Sequence, residues 1–223
     1  MKNCIRTEEL FDLSHTAAKP LLEKYEYPWQ ALEEMKSFIA SLCEALKCSG
    51  DYLFPEPDVA VHKTAKIHPT ADITGPCVIG ADVEVRPGAF LRGSVLIGER
   101  CVIGNSCEFK NAIIFDDCQV PHFNYVGDSI LGYHAHMGAG AVTSNVKGDR
   151  SDVVIKNGSE TFETGRYKVG AFLGDHAEIG CNSVLNPGTI VGRGARVYPL
   201  SMVRGVVPEQ TIYKRLGDVV VKY

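Results

Sequence analysis

Apolar residues recur at every sixth position from Ile67: Ile67, Ile73, Ile79, Val85, Leu91, Ile97, Ile103 and Phe109. With 45% hydrophobic residues in the chain, such a run in one register arises by chance at only ~0.2%, so it is read as a structural signal. The register slips by one residue and resumes at Ile114, Val120 and Val126. It slips again to Leu131 and Met137, then returns after a polar stretch at Leu173, Ile179, Leu185, Val191, Val197 and Val203. A period of six matches neither a helix nor the simple alternation of a strand. It is the period of a hexapeptide-repeat β-helix. Short strands joined by tight turns each send one apolar side chain inward, and glycine, as in Ile79-Gly80, Ile97-Gly98 and Ile103-Gly104, relieves crowding at the corners. A single coil buries too little to stand alone, so the coils must stack.

The flanks follow other rules. Residues 1–50 read as a helical hairpin. Thr7 caps a first helix reaching about Glu23, with Leu10, Leu13, Ala17 and Leu21 on one side. Pro28 opens a second, with Trp29, Leu32, Met35, Phe38, Ile39, Leu42 and Leu46 on one face. This hairpin is expected to pack against the coil or support an oligomer, with partner binding as the other possibility. Pro55 and Pro57 mark 51–66 as a linker. The β-helix is assigned to 67–207 and a C-terminal tail to 208–223. Residues 144–168 break the hexad and are polar, as in a loop thrown out of the coil. Long loops in tight folds are often functional.

Composition narrows the function classes. Lys+Arg 23 against Asp+Glu 27 gives a formal net charge of -4, which argues against nucleic-acid binding. No apolar run approaches the roughly 20 residues of a membrane helix, and the first residues turn acidic too early for a signal peptide, so a cytoplasmic location is expected. The 8 cysteines include no C-x-x-C pair and are expected as free thiols. Phosphate-binding P-loops, Rossmann fingerprints, G-x-S-x-G and H-E-x-x-H are all missing from the sequence.

The candidate chemistry centres on Glu108 and Lys110, which flank inward-facing Phe109 and so point out of the coil. His122 and Tyr125 follow in the next repeat. A histidine near carboxylates can act as a general base near neutral pH.

Four strings carry a resemblance: Gly104-Asn105-Ser106-Cys107-Glu108-Phe109-Lys110, His122-Phe123-Asn124-Tyr125-Val126-Gly127-Asp128, Gly138-Ala139-Gly140-Ala141-Val142-Thr143-Ser144-Asn145 and Leu185-Asn186-Pro187-Gly188. The stretch from about Pro87 to Val207 resembles the acetyltransferase domain of bifunctional, archaeal-type sugar-1-phosphate nucleotidylyltransferase/glucosamine-1-phosphate acetyltransferases, a hexapeptide-repeat acyltransferase family. The resemblance implies a left-handed parallel β-helix and acetyl-CoA-dependent N-acetylation of an amino-sugar 1-phosphate in nucleotide-sugar biosynthesis, with no metal expected in the reaction. It implies His122 as general base and Glu108 as the carboxylate that orients it. Arg86, Arg92, Lys110, Tyr125, His136 and Asn145 are expected to bind the sugar phosphate. Gly138, Ala139, Cys181, Tyr198 and Arg204 are expected along the CoA path, with Lys214 and Arg215 as further candidates for its phosphates. A homotrimer with sites at subunit boundaries is implied. The family's nucleotidyltransferase signature does not occur in the sequence, so pyrophosphorylase activity is not expected and a separate nucleotidyltransferase is a candidate partner. Two other readings are carried: a non-catalytic β-helix scaffold or regulatory subunit, and a γ-carbonic-anhydrase-like metalloenzyme using His122, His134 and His136.

Overall fold

The computed structural model describes residues 4–215 and 217–222. Its body is a parallel β-solenoid with three faces. The first face stacks Lys66–Ile67, Glu84–Val85, Val102–Asn105, Gln119–His122, His136–Met137, Glu178–Ile179, Arg196–Val197 and Thr211–Arg215. The second carries Asp72–Thr74, Phe90–Arg92, the first half of Glu108–Ile114, the first half of Tyr125–Leu131, Val142–Thr143, Val184–Leu185 and Met202–Val203. The third begins at Val59–His62 and runs through Cys77–Ile79 and Val95–Ile97 to Val206–Val207. From Ile79 to Val203 every hexad residue is buried, while Ile67 and Ile73, at the open first end, are partly exposed.

The two register slips have a local cause. Equivalent residues of most coils are 18 apart, as in the Arg196–Glu178 pair. Asn111 and Asp128 are 17 apart, as are Asp128 and Asn145. The missing residue lies at the corner between the second and third faces. Gly93 and Ser94 both make that turn with positive φ in one coil, whereas Asn111 (φ 51°) and then Asp128 (φ 48°) make it alone in the next two. Asn and Asp tolerate this left-handed backbone better than other side chains do. In the next coil the same corner opens into residues 144–170.

The polar break is therefore not a featureless loop. It contains an antiparallel hairpin, Val154–Asn157 with Glu160–Glu163. Residues 51–66 are not a linker either. Tyr52–Glu56 pairs antiparallel with Val59–His62, which forms the first rung of the third face. Pro55 is accommodated because its strand is an edge strand, where a missing N–H costs no ladder bond. The tail at 208–223 adds the rung Thr211–Arg215 and an antiparallel partner, Asp218–Val221.

The N-terminal segment differs from two continuous helices. The first is split into Thr7–Leu10, a 3-10 turn at Leu13–His15 and Lys19–Leu22. Asp12 interrupts it: its carboxylate accepts the Ser14 N–H at 3.0 Å, and its own N–H donates to Asp175 at 2.7 Å. Such side-chain bonds compete with helix. The second is a 3-10 turn, Pro28–Glu33, followed by the helix Met35–Leu46. This segment packs on the third face. The strands there are apolar on both sides, with Val78, Leu96, Ile113, Ile130, Phe172 and Ile190 turned toward the cover and buried. No helix among the described residues is long and apolar enough to cross a membrane.

Phe172 meets Trp29 of the cover at a centroid distance of 6.3 Å and is fully buried. Phe172→Ala is expected to destabilise the fold by about 3–5 kcal/mol through the cavity it leaves. A lowered urea midpoint with an unchanged slope is the expected result; an unmoved midpoint would mean the cover contributes little.

Candidate functional site

With the third face covered, the second face offers the outward surface on which the expected groups converge. Its outward ladder runs Phe90, Glu108, Tyr125, Val142, Val184 and Met202. His122 borders it on one side and the Asn111–Asp128 corner on the other.

On that face Arg92 Nη1 donates to Glu108 Oε1 at 2.5 Å, and its guanidinium carbon lies 5.7 Å from the Phe90 ring centroid. The carboxylate raises the Arg92 pKa further, so the guanidinium remains charged. Lys110, exposed, is in register with Gly127. A Cβ at Gly127 would stand 2.4 Å from the Tyr125 hydroxyl, so a larger residue there would displace the Tyr125 ring.

Asn145 Nδ2 donates to the Tyr125 hydroxyl at 3.2 Å and to Asp128 Oδ2 at 2.6 Å. Asn111 Nδ2 donates to Asp128 Oδ1 at 2.8 Å. Asp128 is buried and shares both oxygens with these amides, a satisfied arrangement that holds the corner rigid. Burial, then Asp128 and Glu108, raise the Tyr125 pKa, which keeps the phenol protonated and able to donate.

His122 ends the strand Gln119–His122 and is exposed. Among the described residues only its backbone is engaged: its N–H donates to Asn124 Oδ1 at 3.1 Å and its carbonyl accepts from Gly140 at 2.9 Å. Asn124 is buried, and its Nδ2 donates to the carbonyls of Gly138 and Ala141 at 2.8 and 3.0 Å. The turn that presents the imidazole is thereby fixed from below. Gly138, Ala139 and Cys181 stack on the same corner: the Asn182 N–H donates to the Ala139 carbonyl, and a Cβ on Gly138 would come 2.7 Å from the Cys181 nitrogen. Tyr198 is exposed one coil further on.

Several expected residues lie elsewhere. Arg86 is on the first face and pairs with Glu84 at 3.0 Å. His136 is also on the first face, between Gln119 and Glu178. It lines a cavity of about 390 Å³ with His134 and His176, and burial lowers its pKa. Glu108 contacts Arg92 rather than serving as a hydrogen-bond partner of His122. Among the three histidines of the metalloenzyme reading, His134 lies 5.3 Å from the ring of His176, while His122 stands at a different corner. Among the described residues no group of three metal-ligating side chains is placed to hold an ion. Arg204 lines a separate cavity with Lys147 and Lys156. Lys214 and Arg215 are exposed on the last rung.

Asn111, Asn124 and Asp128 are not among the site residues expected from the sequence. The two register slips are the signal that points to Asn111 and Asp128.

Residues 73–159 match the family model described as the GMPPB C-terminal domain. The chain is 35% identical over 117 residues to a bifunctional sugar-1-phosphate nucleotidylyltransferase/acetyltransferase from Sulfurisphaera tokodaii, covering 52% of this chain and 29% of that protein. It is 28% identical over 215 residues to a bifunctional protein GlmU from Methanococcus maripaludis, covering 88% of this chain and 48% of that one. The chain thus spans less than half the length of these curated relatives. Among solved structures, the acetyltransferase domain of PglB from Neisseria gonorrhoeae aligns over 80% of this chain and 64% of that one at a TM-score of 0.34 and 15% identity. A perosamine N-acetyltransferase from Caulobacter crescentus, solved with CoA and GDP-perosamine, aligns over 77% and 58% at 0.37 and 17%.

Proposed function

We propose that the chain is an acetyl-CoA-dependent N-acetyltransferase acting on an amino-sugar 1-phosphate of the glucosamine-1-phosphate type. The observation that carries this reading is the second face itself. An exposed imidazole on a fixed turn borders a surface holding Arg92, Lys110, Tyr125 and the Asn145–Asp128–Asn111 chain. The similarity to a sugar-1-phosphate nucleotidylyltransferase/acetyltransferase supports it.

In this reading His122 takes a proton from the sugar amine. The nitrogen attacks the thioester carbonyl carbon and the C–O π bond opens to an oxyanion held by backbone N–H groups of a turn. On collapse the C–S bond breaks, the thiolate of CoA takes the proton from the imidazolium, and His122 returns to its neutral form. Arg92 and Lys110 hold the sugar phosphate as fixed cationic donors, with Arg92 exchanging Glu108 for phosphate. Tyr125 and Asn145 orient the sugar. We further propose a homotrimer. Phe123 is 63% and Leu200 80% exposed on the corner that carries His122, and Met202, on the adjoining second face, is 54% exposed. Bare apolar side chains of this size suit a protein contact, and a second copy there would wall the open face.

The test is a panel of hexosamine 1-phosphates incubated with acetyl-CoA, with CoA release followed and products weighed by mass spectrometry. A product one acetyl group heavier than a hexosamine 1-phosphate is expected. No turnover with any member of the panel would leave the scaffold reading in its place.

A further inference from the structure

The Asn145–Asp128 corner stands at the mouth of the 144–170 insertion, and its rigidity depends on how that insertion is held. In the two preceding coils a single residue, Asn111 or Asp128, closes the turn. Here the chain leaves the coil after Ser144 and rejoins it at Gly170. Local opening favours segments with few buried contacts, and a long excursion is more exposed to it than a one-residue turn. The returning arm nevertheless grips both polar residues by their backbones. The Val169 N–H donates to the Asn145 carbonyl at 3.0 Å, and the Gly170 N–H to the Asp128 carbonyl at 2.8 Å. Val146 and Lys168 form an antiparallel bridge beside them. The approach is close: a Cβ on Gly170 would stand 2.0 Å from the Gly127 carbonyl.

The N-terminal cover holds the same arm from the other side. Phe162 of the hairpin lies 5.5 Å from the Tyr27 ring centroid and 6.2 Å from that of Trp29, and those two rings stack on each other at 4.6 Å. Further along, Arg166 pairs with Glu33 through Nη1, and its carbonyl accepts the Val153 N–H at 2.8 Å. Trp29 is buried, and the 3-10 turn Pro28–Glu33 that carries it also packs on the strand Tyr125–Leu131. Residues 27–33 thus touch both the strand that bears Tyr125 and Asp128 and the arm that holds Asn145.

We propose that Phe162, Arg166 and Glu33 are positioning residues: they clasp the insertion to the N-terminal cover and so set the Asn145–Asp128 corner. Through Asn145 Nδ2 the clasp also sets the Tyr125 hydroxyl. Its effect on catalysis rests on the acetyl-transfer reading; the clasp itself does not. The ion pair is open to water, with the Glu33 side chain 78% exposed, and contributes little to global stability. The aromatic contact has one buried wall, Trp29, and supplies most of the grip. The clasp therefore acts on the returning arm and leaves the solenoid core to its own packing.

Amide hydrogen exchange and tryptophan emission test this on the wild type, Phe162→Ala and Glu33→Arg. Trp29 is the single tryptophan of the chain, so the emission reports the clasp directly. In Phe162→Ala a red shift is expected, and amides of residues 166–170 exchange about tenfold faster, the upper end for a lost aromatic pair. Exchange in the third-face strands Val95–Ile97 and Thr189–Val191 stays as in the wild type. Glu33→Arg sets two cations against each other without touching the core. It gives a smaller change in the same amides, reversed when Arg166→Glu restores the pair. In Phe162→Ala the KM for glucosamine 1-phosphate rises by a similar factor, which a mere loss of folded enzyme would not cause. Unchanged exchange at 166–170 in both variants, or acceleration shared equally by the third face, overturns the proposal. So does an active enzyme whose arm loosens with no rise in that KM. A loosened arm in a protein that turns over no acetyl-CoA keeps the clasp and removes the reaction.

Discussion

His122→Ala is expected to lower kcat for acetyl transfer by about 10²–10⁴-fold, the range of a lost general base. The fold should be indifferent to the change. The imidazole is exposed, and among the described residues only the backbone of this residue is held, through Asn124 and Gly140. Steady-state kinetics set against the melting temperature and the sedimentation profile separate the two effects. A variant that keeps wild-type turnover would take His122 out of the mechanism, and one that loses both turnover and assembly would make it a structural residue.

Asp128→Ala is expected to affect both stability and catalysis. The carboxylate is buried and accepts from Asn111 and Asn145. Its removal strands two amide donors at a corner whose backbone already sits at positive φ, for a loss of about 3 kcal/mol. Asn145 then no longer holds the Tyr125 hydroxyl from a fixed position, so kcat/KM falls along with the urea midpoint. Asp128→Asn keeps the shape but places an amide where two donors converge, and intermediate values are expected for both readouts. Normal stability in Asp128→Ala would show that the corner is held by its backbone bonds, among them the Gly170 N–H to the Asp128 carbonyl at 2.8 Å.

The hexad was legible because each inward position obeys one rule, burial between neighbouring coils. Phe109, Val126 and Leu185 are buried, as their spacing requires. What lay outside that rule was harder to read. The prolines at 55 and 57 resemble linker punctuation, and only tertiary pairing reveals an edge strand. The first helix fails at Asp12 because its partner, Asp175, is 163 residues away. The doubly apolar strands of the third face, such as Val95-Leu96-Ile97, signalled a covered surface that a search for one inward residue per strand passes over. For the site, Tyr125, Asn145, Glu108 and Arg92 fall on the expected face, while His136 and Arg86 sit on another because the corner between Val120 and Val126 separates them. The slips in the hexad hold the least obvious information. Each marks a corner shortened to a single Asn or Asp, and those two side chains organise the polar cluster.

In the proposed reaction the amine and the thioester meet beside His122. A crystal structure of the protein with CoA and glucosamine 1-phosphate measures this most directly. The sugar nitrogen is expected within hydrogen-bond reach of the His122 imidazole, about 2.6–3.2 Å, with its phosphate on Arg92 or Lys110. A sugar bound on the first face beside His136, with His122 facing empty solvent, would contradict it.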